Sequence, residues 1–220
     1  MNYAALVSAV SSYTENTFPT VNMNLFITQA EKRIYNTVQI PALRKNVTGI
    51  TTASNKYLAC PDDFLSSYSL AAIDPTTGAY TFLLNKDVNF IREAYPKPTT
   101  TGSPKFYALF GPAVASSVIT TELTFLIGPT PDAAYSMELH YYYYPESIVT
   151  ASTTWLGDNY DPVLLYGTLV EAYTYMKGET DMIALYDGKY KEAMGQLKRL
   201  GDGLERQDAY RSGQARVPVT

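Results

Sequence analysis

Ile119-Thr120-Thr121-Glu122-Leu123-Thr124-Phe125-Leu126-Ile127 alternates residue by residue, and Met137-Glu138-Leu139-His140-Tyr141-Tyr142-Tyr143-Tyr144 does so again after Gly128-Pro129-Thr130-Pro131-Asp132. Ile119, Thr121, Leu123, Phe125 and Ile127 fall on one side of the first run; Met137, Leu139, Tyr141 and Tyr143 share one side of the second. A period of two belongs to half-buried strands. The Gly- and Pro-rich joint reads as a turn, so the stretch predicts an antiparallel hairpin. Tyr142 and Tyr144 lie opposite Tyr141 and Tyr143, which puts aromatic rings on both faces of the sheet. Either both faces pack on the protein's own elements, or one of them meets another chain. The second reading makes Tyr142 and Tyr144 candidate subunit contacts.

Toward the N-terminus the period of two continues back to residue 47. Strands are expected over residues 47–53, 57–60, 68–73, 80–84 and 105–110, separated by turn clusters such as Asp74-Pro75-Thr76-Thr77-Gly78. A short helix is expected over 86–94, closed by Pro96 and Pro98. Before residue 47 the spacing is helical. Leu6, Val7, Val10 and Tyr13 form one stripe, and Ile27, Ala30, Ile34 and Val38 another, with Asn22 or Asn24 as the second helix's cap and Pro41 ending it.

After Pro145 the helical period returns. Asp161-Pro162 reads as a helix start, Asp161 capping and Pro162 in the first turn. The helix that follows is apolar on almost every face, through Val163, Leu164, Leu165, Leu169, Val170, Ala172 and Met176, with Gly178 closing it. A helix with no polar stripe must be covered all round. In a small domain this predicts cover from a neighbouring subunit as well as from its own core, with Leu164 and Leu169 as candidate interface residues. A last helix carries Ile183, Tyr186, Tyr190, Ala193, Leu197 and Leu200, and Gly201 is expected to stop it. Residues 201–220 are polar and interrupted by glycine, a composition that predicts a flexible arm. Tyr210, Arg211, Arg216 and Val217 are its candidate docking residues, because aromatic and Arg side chains anchor interfaces. The fold class is therefore α+β. Residues 1–46 and 148–200 build a helical bundle, 47–147 form an antiparallel β-domain inserted between its halves, and 201–220 are the arm.

The composition narrows the function classes. The 220 residues carry a net charge of −4 with a pI near 5.0, no basic footprint for gripping nucleic acid. The longest apolar stretch is too short and broken to span a bilayer, and no basic segment leads an apolar run at the N-terminus. With Cys60 and His140 each the sole residue of its type, no disulfide framework, Cys–His pair or zinc set can be assembled. A protein of a reducing compartment is expected. His140, between Glu138 and Tyr142 on a strand, reads as a half-exposed surface residue. Asp62-Asp63 reads as a polar turn after Pro61, and no Gly-rich phosphate loop occurs. Neither an enzyme nor a cofactor or metal protein is expected.

One known family shares the order of these patterns. Gly102-Ser103-Pro104-Lys105-Phe106-Tyr107-Ala108, Leu126-Ile127-Gly128-Pro129-Thr130-Pro131-Asp132 and Leu139-His140-Tyr141-Tyr142-Tyr143 resemble the β-region of the head-to-tail adaptors of tailed bacteriophages. Thr154-Trp155-Leu156, the helix from Asp161 to Ala172 with its Leu-Tyr-Gly-x-Leu-x-Glu-Ala pattern, and Tyr190 to Leu197 resemble the tail-side half of the same family. The resemblance covers most of residues 1–200 and rests on packing patterns. It implies a structural virion protein, a homo-oligomeric ring of twelve subunits beneath the portal protein. Such a ring docks the tail tube or nozzle and passes genomic DNA through its channel without specific binding. It also implies assembly in the host cytoplasm and no membrane partner. A carbohydrate- or receptor-binding β-module of a phage tail is the alternative that a Tyr-rich sheet supports.

Overall fold

The computed structural model describes residues 1–111, 113–115, 118–121 and 123–212. Its helices are α1 (Tyr3–Thr14), α2 (Thr20–Thr37), α3 (Val88–Ala94), α4 (Ile148–Ala151), α5 (Trp155–Asn159), α6 (Asp161–Tyr175) and α7 (Thr180–Ser212). Its strands are β1 (Arg44–Ile50), β2 (Tyr57–Ala59), β3 (Phe64–Ile73), β4 (Tyr80–Phe82), β5 (Leu84–Asn85) and β6 (Thr101–Gly102). They continue with β7 (Phe106–Phe110), β8 (Ala113–Ala115), β9 (Val118–Thr121), β10 (Thr124–Gly128), β11 (Thr130–Pro131) and β12 (Ser136–Tyr143). The chain is α+β and divides into two compact units: Met1–Leu43 together with the chain from Tyr144 onward, and Arg44–Tyr143.

In the first unit α6 is the central element, packed against α1, α2, α5 and α7. Val163, Leu164, Leu169 and Ala172 have no solvent exposure. Leu6 and Val10 of α1, Ile27 and Ile34 of α2, and Tyr190 and Leu197 of α7 belong to the same core. Gly167 lets α6 approach its neighbours, because a Cβ there would lie 3.2 Å from both Ala30 Cβ and Tyr190 Cε2. The expected need for a neighbouring subunit around this helix is therefore corrected: its own chain supplies the cover for Leu164 and Leu169.

Helix ends differ from expectation in ways that packing explains. Helix α2 begins directly after Pro19 with no side-chain cap. Asn22, expected as a cap, lies inside it and donates to the Tyr175 hydroxyl at 2.9 Å. Asp161 is the first residue of α6, and Tyr160 holds the cap position without a side-chain bond. The carboxylate of Asp161 still suits the positive end of the helix. At the other end Lys177, with φ of 53°, takes the left-handed conformation expected of Gly178. Gly178 is constrained by space, since a Cβ would meet Tyr173 Cδ1 at 2.9 Å.

Gly201 does not stop the last helix, which runs through it to Ser212. Its Cβ would lie 2.5 Å from Ile40 Cγ2. The glycine is there for close packing against the turn after α2. Residues 213–220, including the candidate arm residues Arg216 and Val217, lie outside the described residues; Tyr210 and Arg211 fall in the last turn of α7.

The second unit holds two four-stranded sheets, ordered β1-β12-β3-β4 and β2-β10-β7-β5. Arg44 opens β1, three residues before the expected change of period. The expected hairpin is corrected. Strand β12 pairs with β1 and β3, whereas β10 pairs with β2 and β7 in the other sheet. The first run is also split, its N-terminal half forming β9, which pairs with β8. The Gly/Pro joint is a crossover between sheets, and it pauses to pair Thr130 and Pro131 with Thr101 and Gly102. Every residue of β10 is buried. Phe125 and Ile127 join Leu70, Met137, Leu139 and Tyr141 in one core, while Leu126 on the opposite face packs with Ile91 of α3 and Ala108. The short helix α3, capped by Asp87 through Asn89 N at 2.8 Å, covers the face that a half-buried strand would have left wet.

The two explanations of Gly201 predict opposite signs. In an open helical position Gly→Ala stabilises by about 0.5–1 kcal/mol. Gly203→Ala, with nothing within 4 Å of its Cβ, is expected to raise the melting temperature. Gly201→Ala is expected to lower it through the clash with Ile40, a cost of about 1–3 kcal/mol. Thermal melts followed by circular dichroism separate the two; a stabilised Gly201→Ala would show that the site is open.

Candidate functional site

The candidate residues lie in very different surroundings. Leu164 and Leu169 are core residues of α6, closed off from any partner. Tyr142 is buried on β12. The Arg44 guanidinium donates to its hydroxyl at 3.0 Å and lies 4.0 Å from the Tyr68 ring centroid, a clamp of one cation between two aromatic rings. Tyr144 belongs to the helical unit, partly exposed, with its hydroxyl bonded to Asn36. The rings of the Tyr run therefore do not form one aromatic platform. Tyr141 faces the core and donates to Asp63 at 2.7 Å. Burial, then the Asp63 carboxylate, push the Tyr141 hydroxyl well above the ordinary phenol range. Burial works against ionised Asp63, but hydrogen bonds from Lys45 and Tyr141 outweigh it and hold that carboxyl below its usual value.

His140 sits half exposed on the outer face of β12, 3.3 Å from Glu138. Glu138 accepts from Tyr80 at 2.9 Å and from Asn46 at 3.0 Å, and these two bonds hold its carboxyl below the ordinary range. The arrangement is a surface network in which the acceptor is shared among neighbouring strands. Cys60 is buried, and burial pushes its thiol up to about 12, so at neutral pH it stays protonated and unreactive. Among the described residues no group of three His, Cys, Asp or Glu side chains is placed to hold a metal ion. Among the same residues no helix is long and apolar enough to cross a membrane.

Two features were not legible from the sequence. One is a pocket of about 290 Å³ in the helical unit, lined by Glu31, Lys32, Tyr35, Asn36, Tyr144 and Ser147 among others. Glu31 is buried, and its carboxylate accepts from Ile148 N at 2.9 Å, capping the start of α4. Burial pushes its carboxyl up, against the bonds from Ile148 and Ser147. The other is a set of exposed apolar side chains on strand edges of the β-unit. Ile50 is 71% exposed, Phe82 67% and Tyr80 55%. Lone exposed apolar residues are ordinary, but these three share the two free edges of one sheet. What the described residues offer is contact surface: apolar strand edges and an ordered polar network.

A protein-family model described as SU10 adaptor protein matches residues 1–218, nearly the whole chain. No curated protein matches it.

Two measurements follow from the buried groups. Leu164→Asp is expected to prevent folding of the helical unit rather than to release a folded monomer, since an unpaired buried charge costs several kcal/mol. Circular dichroism and gel filtration check it, and a folded, helical Leu164→Asp protein would contradict the packing of α6. For Glu31 the folded carboxyl value lies above the unfolded one. Its contribution to stability is then present at low pH and lost as pH rises through the folded value. Glu31→Gln keeps an acceptor for Ile148 N without the charge. Its stability relative to wild type is expected to increase between about pH 4 and about pH 8, measured by denaturant unfolding; a difference independent of pH would refute it.

Proposed function

Because this chain belongs to the SU10 adaptor family of phage head-to-tail adaptor proteins, we propose that it is a structural ring subunit joining the portal to the tail and extending the DNA channel. The observation that carries the reading is the extent of the family match, residues 1–218, which takes in both compact units and α7. The ring assembles on the portal protein, twelve copies in the family's usual arrangement, with the tail tube or nozzle docking below. Its place is the head–tail junction of the virion, after synthesis in the host cytoplasm. The two units act as a helical bundle and an inserted β-domain.

The acidity of the chain supports the channel role. A net charge of −4 leaves the wall without the cationic surface that would hold phosphates and add drag to moving DNA. Helix α7 supports the docking role. From its contact at Gly201 it continues to Ser212, about 16 Å of helix. Tyr210 and Arg211 on its last turn, with Arg216 and Val217 beyond, are the portal-docking residues of this reading. Many copies bound at once tolerate weak single contacts.

Purified full-length protein mixed with portal-bearing heads is expected to add a ring visible by electron microscopy. Protein lacking residues 203–220 is expected to attach at least about tenfold less well, the loss that removing roughly 1.4 kcal/mol of binding gives. Heads that acquire no density from the full-length chain would overturn the adaptor role. Equal attachment of the truncated protein would remove the docking arm and leave the ring.

A further inference from the structure

Among the described residues strands β1 and β4 are the two open edges of one sheet, and neighbouring strands across it are all antiparallel. With four strands the two edges therefore run in opposite directions. The β4 edge of one copy can lie antiparallel to the β1 edge of the next, and the step repeats without reversing. That is a head-to-tail contact, which builds a ring where the rotation closes and an open filament where it does not, and never a two-fold dimer.

The edge groups are aimed for it. Thr51 N–H donates to Tyr135 C=O at 2.9 Å, one step past the paired Ile50 and Ser136. Antiparallel alternation then turns the backbone groups of Ile50 and Thr48 outward. On β4, Asp74 N–H donates to Ala79 C=O at 3.0 Å and Leu83 N–H to Leu70 C=O at 2.8 Å, flanking the strand. The same alternation turns the backbone groups of Tyr80 and Phe82 outward. Within the sheet, register places Ile50, Ser136, Ile73 and Tyr80 in one cross-strand row and Thr48, Glu138, Ala71 and Phe82 in the next. All four outward-aimed edge residues have their side chains on the same face.

We propose, resting on the ring reading above, that these edges bind each other between copies: Tyr80 pairs with Ile50 and Phe82 with Thr48 of a second copy, joining the four-stranded sheets into one continuous sheet around the ring. Both rows then continue unbroken from copy to copy. An aromatic ring meets a β-branched side chain in each pair, the combination that favours cross-strand contact. At these positions neither edge carries a charge or a proline against such pairing: Thr48-Gly49-Ile50 and Tyr80-Thr81-Phe82 contain none. The area selects the partner's arrangement. Tyr80, Phe82 and Ile50, each more than half exposed, present on the order of 300 Å² of side chain. A stable isolated pair uses about 800 Å² from each partner. One such contact is too small for a lasting dimer, while a closed ring in which every copy makes two contacts holds itself together.

In this register Thr81 of one copy faces Gly49 of the next as a non-hydrogen-bonded pair, with Cα atoms about 4.5 Å apart, inside the range a disulfide spans. Thr81 is exposed, and a Cβ at Gly49 meets only Leu58 Cδ1 at 3.9 Å. Full-length protein carrying both Gly49→Cys and Thr81→Cys, assembled on portal-bearing heads and treated with a mild oxidant, is expected to give a ladder of covalent multimers on a non-reducing gel. Each single variant is expected to stay monomeric, and buried Cys60 adds no bands. The Phe82→Lys protein, with wild-type circular dichroism, is expected to lose at least tenfold in ring yield. Rings that form without the ladder, a ladder from either single variant, or full ring yield from Phe82→Lys would overturn the edge pairing while leaving the adaptor role intact. A wild-type chain that never multimerises on heads overturns the adaptor role itself, and the edge pairing with it.

Discussion

Helix α6 has no polar stripe, and in water such a helix persists only if other elements cover it on nearly every side. Much of the helical unit is an answer to that demand. Helices α1, α2, α5 and α7 each bring side chains to it, and Gly167 gives up a side chain so that Ala30 and Tyr190 can close in. Two polar side chains of α6 are satisfied within the same shell. Thr168, fully buried, donates to Leu164 C=O at 2.8 Å, and Arg33 of α2 pairs with Glu171 on the flank of α6. The N-terminus is fixed by the same packing, with the Met1 ammonium bonded to Gly157 C=O and 3.9 Å from Asp161. Segments from both sides of the β-unit pack on one helix, so the unit is assembled from pieces of chain a hundred residues apart.

This explains which parts of the fold were legible in the sequence. Periodicity is local, and it located α1, α2, α6 and the strands around β3, β7 and β12 from spacing alone. Partner choice is not local. The two alternating runs around Gly128 were each strands in part, yet β10 and β12 belong to different sheets. Alternation states that a strand has two unlike faces; it does not state what covers the second. Leu126 marked the difficulty, an apolar residue on the supposedly wet face of β10, and α3 resolves it by packing Ile91 there. Gly201 failed for the converse reason. A glycine after a helical pattern signals either an end or a close approach, and only the position of Ile40 distinguishes them.

The functional surface was legible in kind and not in place. One histidine, one cysteine and no clustered ligands pointed to a contact protein, and the order of packing motifs pointed to the adaptor family, to which the chain belongs. An all-apolar helix points to Leu164 and Leu169 as contacts, and aromatic rings on both faces of a strand point to Tyr142. Leu164, Leu169 and Tyr142 turn out to be explained by their own chain. The residues left over are those a composition scan passes by: single apolar side chains in Tyr80-Thr81-Phe82 and at Ile50. What sets them apart is edge position, which depends on the order of strands in the finished sheet.

That order follows from how the β-unit is tied into the chain. Strand β1 enters and β12 leaves, and Arg44 pairs directly with Tyr142, so the two ends of a hundred-residue segment emerge side by side. Closing a loop this long costs little more than closing a shorter one, because the entropy grows only with the logarithm of length. The helical core therefore tolerates the interruption. Pairing entry against exit has a second effect. Strand β12 takes β3 on its other flank, which leaves β1 with one flank unpaired, and β3 in turn takes only the three-residue β4. A sheet begun from its own two ends in this way grows to one side and retains an open edge at each limit. The device that brings the termini of the β-unit together is thus also the one that exposes Ile50 and Phe82 to whatever lies beyond.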